Sequence, residues 1–173
     1  MDKSTLKAQV QEYWDEHPCG TQFTDLEWGS REFYRAVEED RYQRQPFMAE
    51  AVGFDRYPGQ DLLEIGCGLG TDLLQFAGGG ARVIGLDLTV RSVALARNRF
   101  DLEDVPGIFL TGDAENLPFP DASFDVVYSF GVLHHTPDTA RAVREIRRVL
   151  RPGGEAVIML YHSNSSHYYL GYP

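Results

Sequence analysis

The 173-residue chain contains few cysteines, few basic residues and no long apolar stretch. Its two cysteines, Cys19 and Cys67, are too few for a disulfide framework and lack the spacing of metal ligands. We therefore expect reduced thiols and no metal site, with a single disulfide as the alternative. The 16 Lys and Arg residues against 26 Asp and Glu give a formal net charge of −10, which argues against a nucleic-acid surface and against docking on anionic lipid. No stretch approaches the ~18 apolar residues of a membrane span, and the start of the chain lacks the apolar core of a signal peptide. These absences predict a cytoplasmic protein with a small-molecule partner.

Beyond residue 60 the apolar pattern alternates between strands and helices. Apolar strands are expected at residues 61–66, 81–88, 107–113, 124–130 and 155–161. Strands that are continuous apolar runs and are linked through helices predict a parallel sheet covered on both faces, with right-handed crossovers. The sequence therefore predicts an α/β fold with a doubly wound, mostly parallel sheet. The helix after the second strand is expected to carry Val90, Val93, Ala94 and Arg97 on one face.

The segment ahead of the first strand is helical in pattern and rich in aromatic residues. Ser30 is placed to cap one helix, and Pro46 to start another that ends at Gly53. We expect an N-terminal helical cap over residues 1–55 and a ligand-binding core over residues 56–173.

The stretch LLEIGCGLGTDLLQF joins the first strand to a helix through three glycines. Glycines at such a turn let the backbone approach a ligand closely. A dinucleotide fingerprint, G-x-G-x-x-G, would need its third glycine at position 71, which is Thr71. Gly66, Gly68 and Gly70 give G-x-G-x-G instead, so the loop predicts a bound nucleoside that is not a dinucleotide.

Carboxylates stand at the ends of the first three expected strands. Glu64 and Asp72 flank the loop, where two negative charges would repel a pyrophosphate and attract a cation. Asp87 ends the second strand, where a carboxylate can accept both ribose hydroxyls, and Asp113 ends the third, where it could accept an exocyclic amine. The pattern favours a positively charged, zwitterionic nucleoside such as S-adenosylmethionine.

Four segments, LLEIGCGLGTDLLQFA, VIGLDLT, GDAENLPFPDASFDVVYSFGVLHHTPD and RVLRPGGEAVI, together resemble the class I S-adenosylmethionine-dependent methyltransferases. The likeness covers roughly residues 61–161 and is greatest to the small-molecule, methyltransferase type 11-like branch. It implies a Rossmann-like methyltransferase fold, S-adenosylmethionine as methyl donor, S-adenosylhomocysteine as product and a small-molecule acceptor methylated at carbon, oxygen or nitrogen.

The resemblance also implies which residues hold the cofactor. Glu64 would lie near the amino group of the methionine moiety, Asp87 would hold the ribose, and Asp113 the adenine. The implied cofactor-binding set is Glu64, Gly66, Cys67, Gly68, Gly70, Asp87, Leu88, Asp113, Ala114, Ser129, Phe130 and Leu133.

His134 and His135 are the candidate catalytic residues, because they follow the fourth strand near the expected methyl position. In-line transfer at carbon depends chiefly on alignment, and a base helps only where the acceptor must lose a proton. Each histidine therefore either shapes its loop or serves as base or acceptor contact. Tyr13, Tyr34 or Tyr42 of the front segment is expected to contact a ligand.

Only 12 residues, 162–173, follow the fifth expected strand, too few for the helix and hairpin usual in this family. We expect a fold shortened after strand five, either as a fragment or with an exposed strand edge that pairs in a homodimer. The alternatives to methyl transfer are a binding module without turnover, which the short C-terminus favours, a nicotinamide oxidoreductase and an aminopropyl transferase. Thr71 and Glu64 disfavour the oxidoreductase, and the segment SFGVLHH lacks the acids that an aminopropyl transferase needs.

Overall fold

A computed structural model describes residues 2–161 and contains a five-stranded parallel sheet with flanking helices. The elements are α1 (Lys3–Glu16), α2 (Arg31–Arg44), α3 (Met48–Val52), β1 (Asp61–Ile65), α4 (Thr71–Gly78), β2 (Arg82–Asp87), α5 (Val90–Glu103), β3 (Ile108–Thr111), β4 (Phe124–Phe130), α6 (Thr139–Val149) and β5 (Leu150–Met159). A short 3-10 helix, Leu133–His135, follows β4, and another, Thr21–Phe23, precedes α2.

The strands lie in the order β3-β2-β1-β4-β5, and every neighbouring pair is parallel. The winding direction reverses between β1 and β4, the place where open sheets of this kind bind ligands. Successive β1 residues serve opposite faces: Leu62 packs in one core cluster with Phe76 and Phe100, and Leu63 in a second with Ile146. The predicted doubly wound α/β fold is confirmed.

Side-chain caps fix the starts of three helices. Ser30 Oγ accepts a hydrogen bond from the Phe33 N–H at 3.1 Å, as predicted for α2. Thr89 and Asp138 cap α5 and α6 in the same way. Gly53, with φ of +63°, ends α3.

Of the four residues predicted to share one face of α5, Val93 is buried, and Val90, Ala94 and Arg97 are exposed. Val90 is 67% exposed, because the helix turns a different stripe toward the sheet. The buried residues of α5 are Ser92, Val93, Ala96, Arg99 and Phe100. Two of these five are polar, and a pattern of apolar residues cannot reveal such a face.

Strand β5 starts at Leu150, directly after α6, rather than at the predicted residue 155. A register shift between Phe124 and Val126 of β4 accommodates the earlier start. Among residues 2–161, β5 pairs only with β4, so the edge pairing with a second chain stays a prediction.

The predicted shortening after strand five concerns residues 162–173, outside the described residues. The division into a cap and a core also stays a prediction. Within the described chain no helix is long and apolar enough to cross a membrane.

Candidate functional site

The glycine loop after β1 lies at the point where the sheet reverses its winding. Gly66, Gly68 and Gly70 all have positive φ, +75°, +51° and +70°, a region that other residues rarely adopt. The N–H groups of Gly66 and Cys67 both donate to the carbonyl of Leu86, at 2.7 and 3.1 Å. These bonds hold the loop against β2.

The three glycines have different surroundings. A Cβ on Gly66 would lie 2.3 Å from a methyl carbon of Val132, and one on Gly70 would lie 3.3 Å from the Cβ of Ala96. A Cβ on Gly68 would meet nothing within 4 Å. Gly66 and Gly70 therefore serve close packing, whereas Gly68 borders open space from which a ligand could approach the backbone.

Asp87 links the end of β2 to this loop. Its Oδ2 accepts a hydrogen bond from the Gly68 N–H at 3.0 Å, and its Oδ1 accepts from the Thr89 N–H at 3.0 Å and the Thr89 hydroxyl at 3.1 Å. Burial raises the pKa of Asp87, and the hydrogen bonds from Thr89 and Gly68 oppose that shift. The carboxylate is thus preorganised beside the open glycine.

Glu64 is a buried acid without a full set of partners. It is 4% exposed, and its Oε2 has no hydrogen-bond partner among residues 2–161. Burial raises the pKa of Glu64 well above its usual value; the charge of Asp72 adds to the shift, and that of Arg41 opposes it. Such a carboxyl group fits a cationic ligand group, which would both partner the orphaned oxygen and compensate its charge.

Asp72 does not carry the uncompensated charge predicted for it. It is 3% exposed and accepts hydrogen bonds from Nε of Arg41 at 2.7 Å and from Arg41 Nη2. The hydroxyls of Tyr42 and Tyr128 also donate to it, at 3.0 and 2.8 Å. The prediction of a second free acid is therefore wrong, because Arg41, one of four arginines on α2, is brought to it by folding. No sequence signal distinguished Arg41 from a solvated helix residue.

Asp113, the predicted adenine acceptor, is paired with α1 in this structure. Lys7 Nζ lies 2.6 Å from Asp113 Oδ2 and 3.0 Å from Glu115 Oε2. Gln11, one turn further along α1, donates to the carbonyl of Leu88 at 3.1 Å. Helix α1 therefore lies across the ends of β2 and β3, and neither Lys7 nor Gln11 was predicted to face the site.

Several predicted cofactor residues turn their side chains into the core. Ser129 is fully buried and donates to the carbonyl of Ile65 at 3.1 Å, and Leu133 is also fully buried. Ala114 and Cys67 belong to the two core clusters. These side chains shape the site from beneath, and their backbone is what a ligand could meet.

His134 and His135 lie in the 3-10 helix after β4 with their ring centroids 4.2 Å apart. Burial, with a contribution from His135, lowers the pKa of His134 to about 4, and burial also lowers the pKa of His135. Both ring nitrogens of His134 are buried without a partner among residues 2–161, and the ring of Trp14 lies 5.5 Å from His135. Burial therefore favours the neutral form of both rings, and a neutral imidazole can accept a hydrogen bond or a proton. Within the described residues no cluster of three His, Cys, Asp or Glu side chains is placed to hold a metal ion.

The three candidate tyrosines differ in their surroundings. Tyr34 donates its hydroxyl to the carbonyl of Leu95 at 2.7 Å, which ties α2 to α5. Tyr42 bonds to Asp72, and Tyr13 is half-exposed. Tyr42 thus bonds to the first turn of the helix after the glycine loop, and Tyr34 belongs to the core cluster that includes Leu69 of that loop.

A parallel sheet in this order, an open glycine loop after the central strand and a fixed carboxylate at the next strand end are typical of α/β proteins of the Rossmann-like class. Residues 63–158 match the sequence profile of the family described as a methyltransferase domain. The chain belongs to this methyltransferase family, and the resemblance seen in the sequence is confirmed.

Similar proteins agree with this membership. The chain is 41% identical over 103 residues to the 27-O-demethylrifamycin SV methyltransferase of Amycolatopsis mediterranei, covering 58% of this chain and 38% of the relative. It is 40% identical over 126 residues to a probable S-adenosylmethionine-dependent methyltransferase of Mycolicibacterium smegmatis, covering 73% and 48%. A crystal structure of the (4+2) cyclase SpnF matches with a TM-score of 0.66 and 27% identity, over 88% of this chain and 59% of that one. The chain spans less than half the length of the two curated relatives.

Proposed function

We propose that the protein transfers a methyl group from S-adenosylmethionine to a small-molecule acceptor. The observation that carries the proposal is the buried, incompletely partnered carboxyl of Glu64 on β1, the strand that leads into the glycine loop whose Gly68 borders open space. When bound, S-adenosylmethionine supplies an electrophilic methyl group on a positively charged sulfur. Membership of the methyltransferase family supports the same activity.

The residues of the chain would hold this cofactor at three points. Glu64 would pair with the amino group of the methionine moiety, since an ammonium group compensates a buried carboxylate. Asp87 would accept the ribose hydroxyls with the acceptor capacity that Gly68 and Thr89 leave. Asp113 would accept the adenine amine once Lys7 gives up its contact. The loop carrying Gly68 would admit the nucleoside close to the backbone.

The acceptor side is inferred from the rings on α1, after β4 and after β5. Trp14, His135, His134 and Tyr161 form a chain of ring contacts with centroids between 4.2 and 5.5 Å apart. Such a surface favours a hydrophobic or aromatic acceptor. The name of the rifamycin relative points to an oxygen nucleophile, from which a neutral imidazole of His134 or His135 would take the proton.

A second candidate is a protein that binds the nucleoside without methyl transfer. The observation that favours it is the structural likeness to SpnF, which is named as a cyclase. Calorimetry with S-adenosylhomocysteine, combined with transfer of a radiolabelled methyl group to phenols and aliphatic alcohols, separates the two. Binding with label transfer supports the methyltransferase, binding without transfer to any acceptor supports the second candidate, and the absence of binding contradicts both.

A further inference from the structure

Arg41 lies beside the acids that surround the end of the site assigned to the methionine moiety. It pairs with Asp72, and its guanidinium carbon lies 5.0 Å from the ring centroid of Phe130. Resting on the proposed function, we propose that Arg41 binds the α-carboxylate of the cofactor and so fixes the amino-acid end of the molecule opposite Glu64.

The charges of the ligand favour such a cation. The methionine moiety carries one ammonium group and one carboxylate, and the two lie on the same carbon. Glu64 is suited to the ammonium, but Glu64 and Asp72 would together repel the carboxylate unless a positive charge stood nearby. Arg41 is close enough to both acids to act on each electrostatically.

The guanidinium of Arg41 has donors to spare. Its Nε and Nη2 bond to Asp72, whereas Nη1 makes no hydrogen bond to any residue in the described part of the chain. The side chain is 23% exposed, so a ligand can reach it. A planar guanidinium with five N–H donors can serve two carboxylates from different edges.

The surrounding residues hold Arg41 in place before any ligand arrives. Asp72 is itself fixed by the hydroxyls of Tyr42 and Tyr128, so the pair has little freedom. A donor that is already ordered loses little side-chain entropy on binding, which strengthens recognition. Arg44, nearly one turn further along α2, is a matched control, because it is 62% exposed and pairs with Asp40 on the same helix.

The test compares two ligands by calorimetry: S-adenosylhomocysteine and its decarboxylated analogue, in which hydrogen replaces the α-carboxylate and the amine is kept. The unaltered protein should bind S-adenosylhomocysteine about tenfold or more tightly than the analogue, as expected for a hydrogen bond between charged groups. In Arg41→Met this preference should fall to within about twofold, whereas Arg41→Lys should keep part of it and Arg44→Met all of it. Because Arg41→Met leaves Asp72 uncompensated, the comparison is repeated in Arg41→Met/Asp72→Asn, which removes both charges.

The calorimetric results separate the role of Arg41 from the proposed function. Loss of the preference in Arg41→Met and in the double variant supports the assignment. An equal loss of affinity for both ligands, or a preserved preference, overturns the role of Arg41 alone. Failure of the unaltered protein to bind either ligand overturns the proposed function and this inference together.

Discussion

The backbone N–H of Gly68 donates a hydrogen bond of 3.0 Å to Oδ2 of Asp87. The acid that ends β2 is therefore also the residue that fixes the open point of the loop after β1. Thr89, which caps α5, bonds to the other oxygen of the same carboxylate. One side chain thus couples the loop, the sheet and the next helix, and a nucleoside bound there would contact a group that is already ordered.

Replacing Asp87 should weaken nucleoside binding strongly. Asp87→Ala is expected to lower the affinity for S-adenosylhomocysteine by about 1.5–3 kcal/mol, the range for a hydrogen bond to a charged group. The free energy of unfolding should fall as well, because Gly68 and Thr89 lose their acceptor. Calorimetry and urea unfolding measure the two effects. Asp101→Ala, on the exposed end of α5, is the control, and unchanged affinity in Asp87→Ala would remove the ribose assignment.

Glu64→Gln should separate stability from binding. The folded pKa of Glu64 lies above its unfolded value, so over the intervening range the folded state holds a proton that the unfolded chain has lost, and stability falls as pH rises through that range. The amide removes this contribution, so Glu64→Gln should lose less stability than the unaltered protein as pH rises from about 5. Its affinity for S-adenosylhomocysteine should nevertheless fall about tenfold. Urea unfolding across this pH range checks the first part, and parallel pH profiles for the two proteins would contradict it.

Much of the fold was predictable, because each strand of a parallel sheet is a continuous apolar run and each helix has its own cap. Residues of the candidate site were predictable where the local backbone position calls for a particular residue type, as with Gly68 at positive φ and Asp87 at a strand end. The roles of Arg41 and Lys7 were not predictable, because each looks like an ordinary charged residue of a surface helix. Arg41 is 31 positions from Asp72, and Lys7 is 106 positions from Asp113. Folding brings α1 over the ends of β2 and β3 and brings Arg41 of α2 to the first turn of α4, and only this packing places the two charges beside the acids.

The glycine loop offers a matched pair of substitutions. Gly66→Ala should lower the free energy of unfolding markedly, by about 2 kcal/mol or more, because its Cβ would lie 2.3 Å from Val132 in addition to the cost of positive φ. Gly68→Ala meets no atom within 4 Å and should cost only about 1 kcal/mol of stability. Its added methyl group borders the proposed ligand side, so its affinity for S-adenosylhomocysteine should fall by more than its stability does. Equal stability loss in both variants would contradict the assignment of Gly68 to the open side.

His134 should make the protein sensitive to acid. Its folded pKa of about 4 lies below the unfolded value of 6.5, so between these values the unfolded chain binds the extra proton and stability is lost as pH falls. His134→Asn should therefore lose less stability than the unaltered protein between about pH 7 and pH 4.5. Urea unfolding at both pH values measures this, with His17→Asn at the exposed end of α1 as control. An identical acid loss with and without His134 would show that its ring is not held neutral by burial.

On the proposed function, the loop after β1 and the acids around it select a cationic sulfur nucleoside in place of a dinucleotide. Side-by-side calorimetric titrations of the unaltered protein with S-adenosylhomocysteine and with NAD test it most directly. We expect saturable binding of S-adenosylhomocysteine at one site and no heat from NAD. Saturable binding of NAD, with none of S-adenosylhomocysteine, would contradict it.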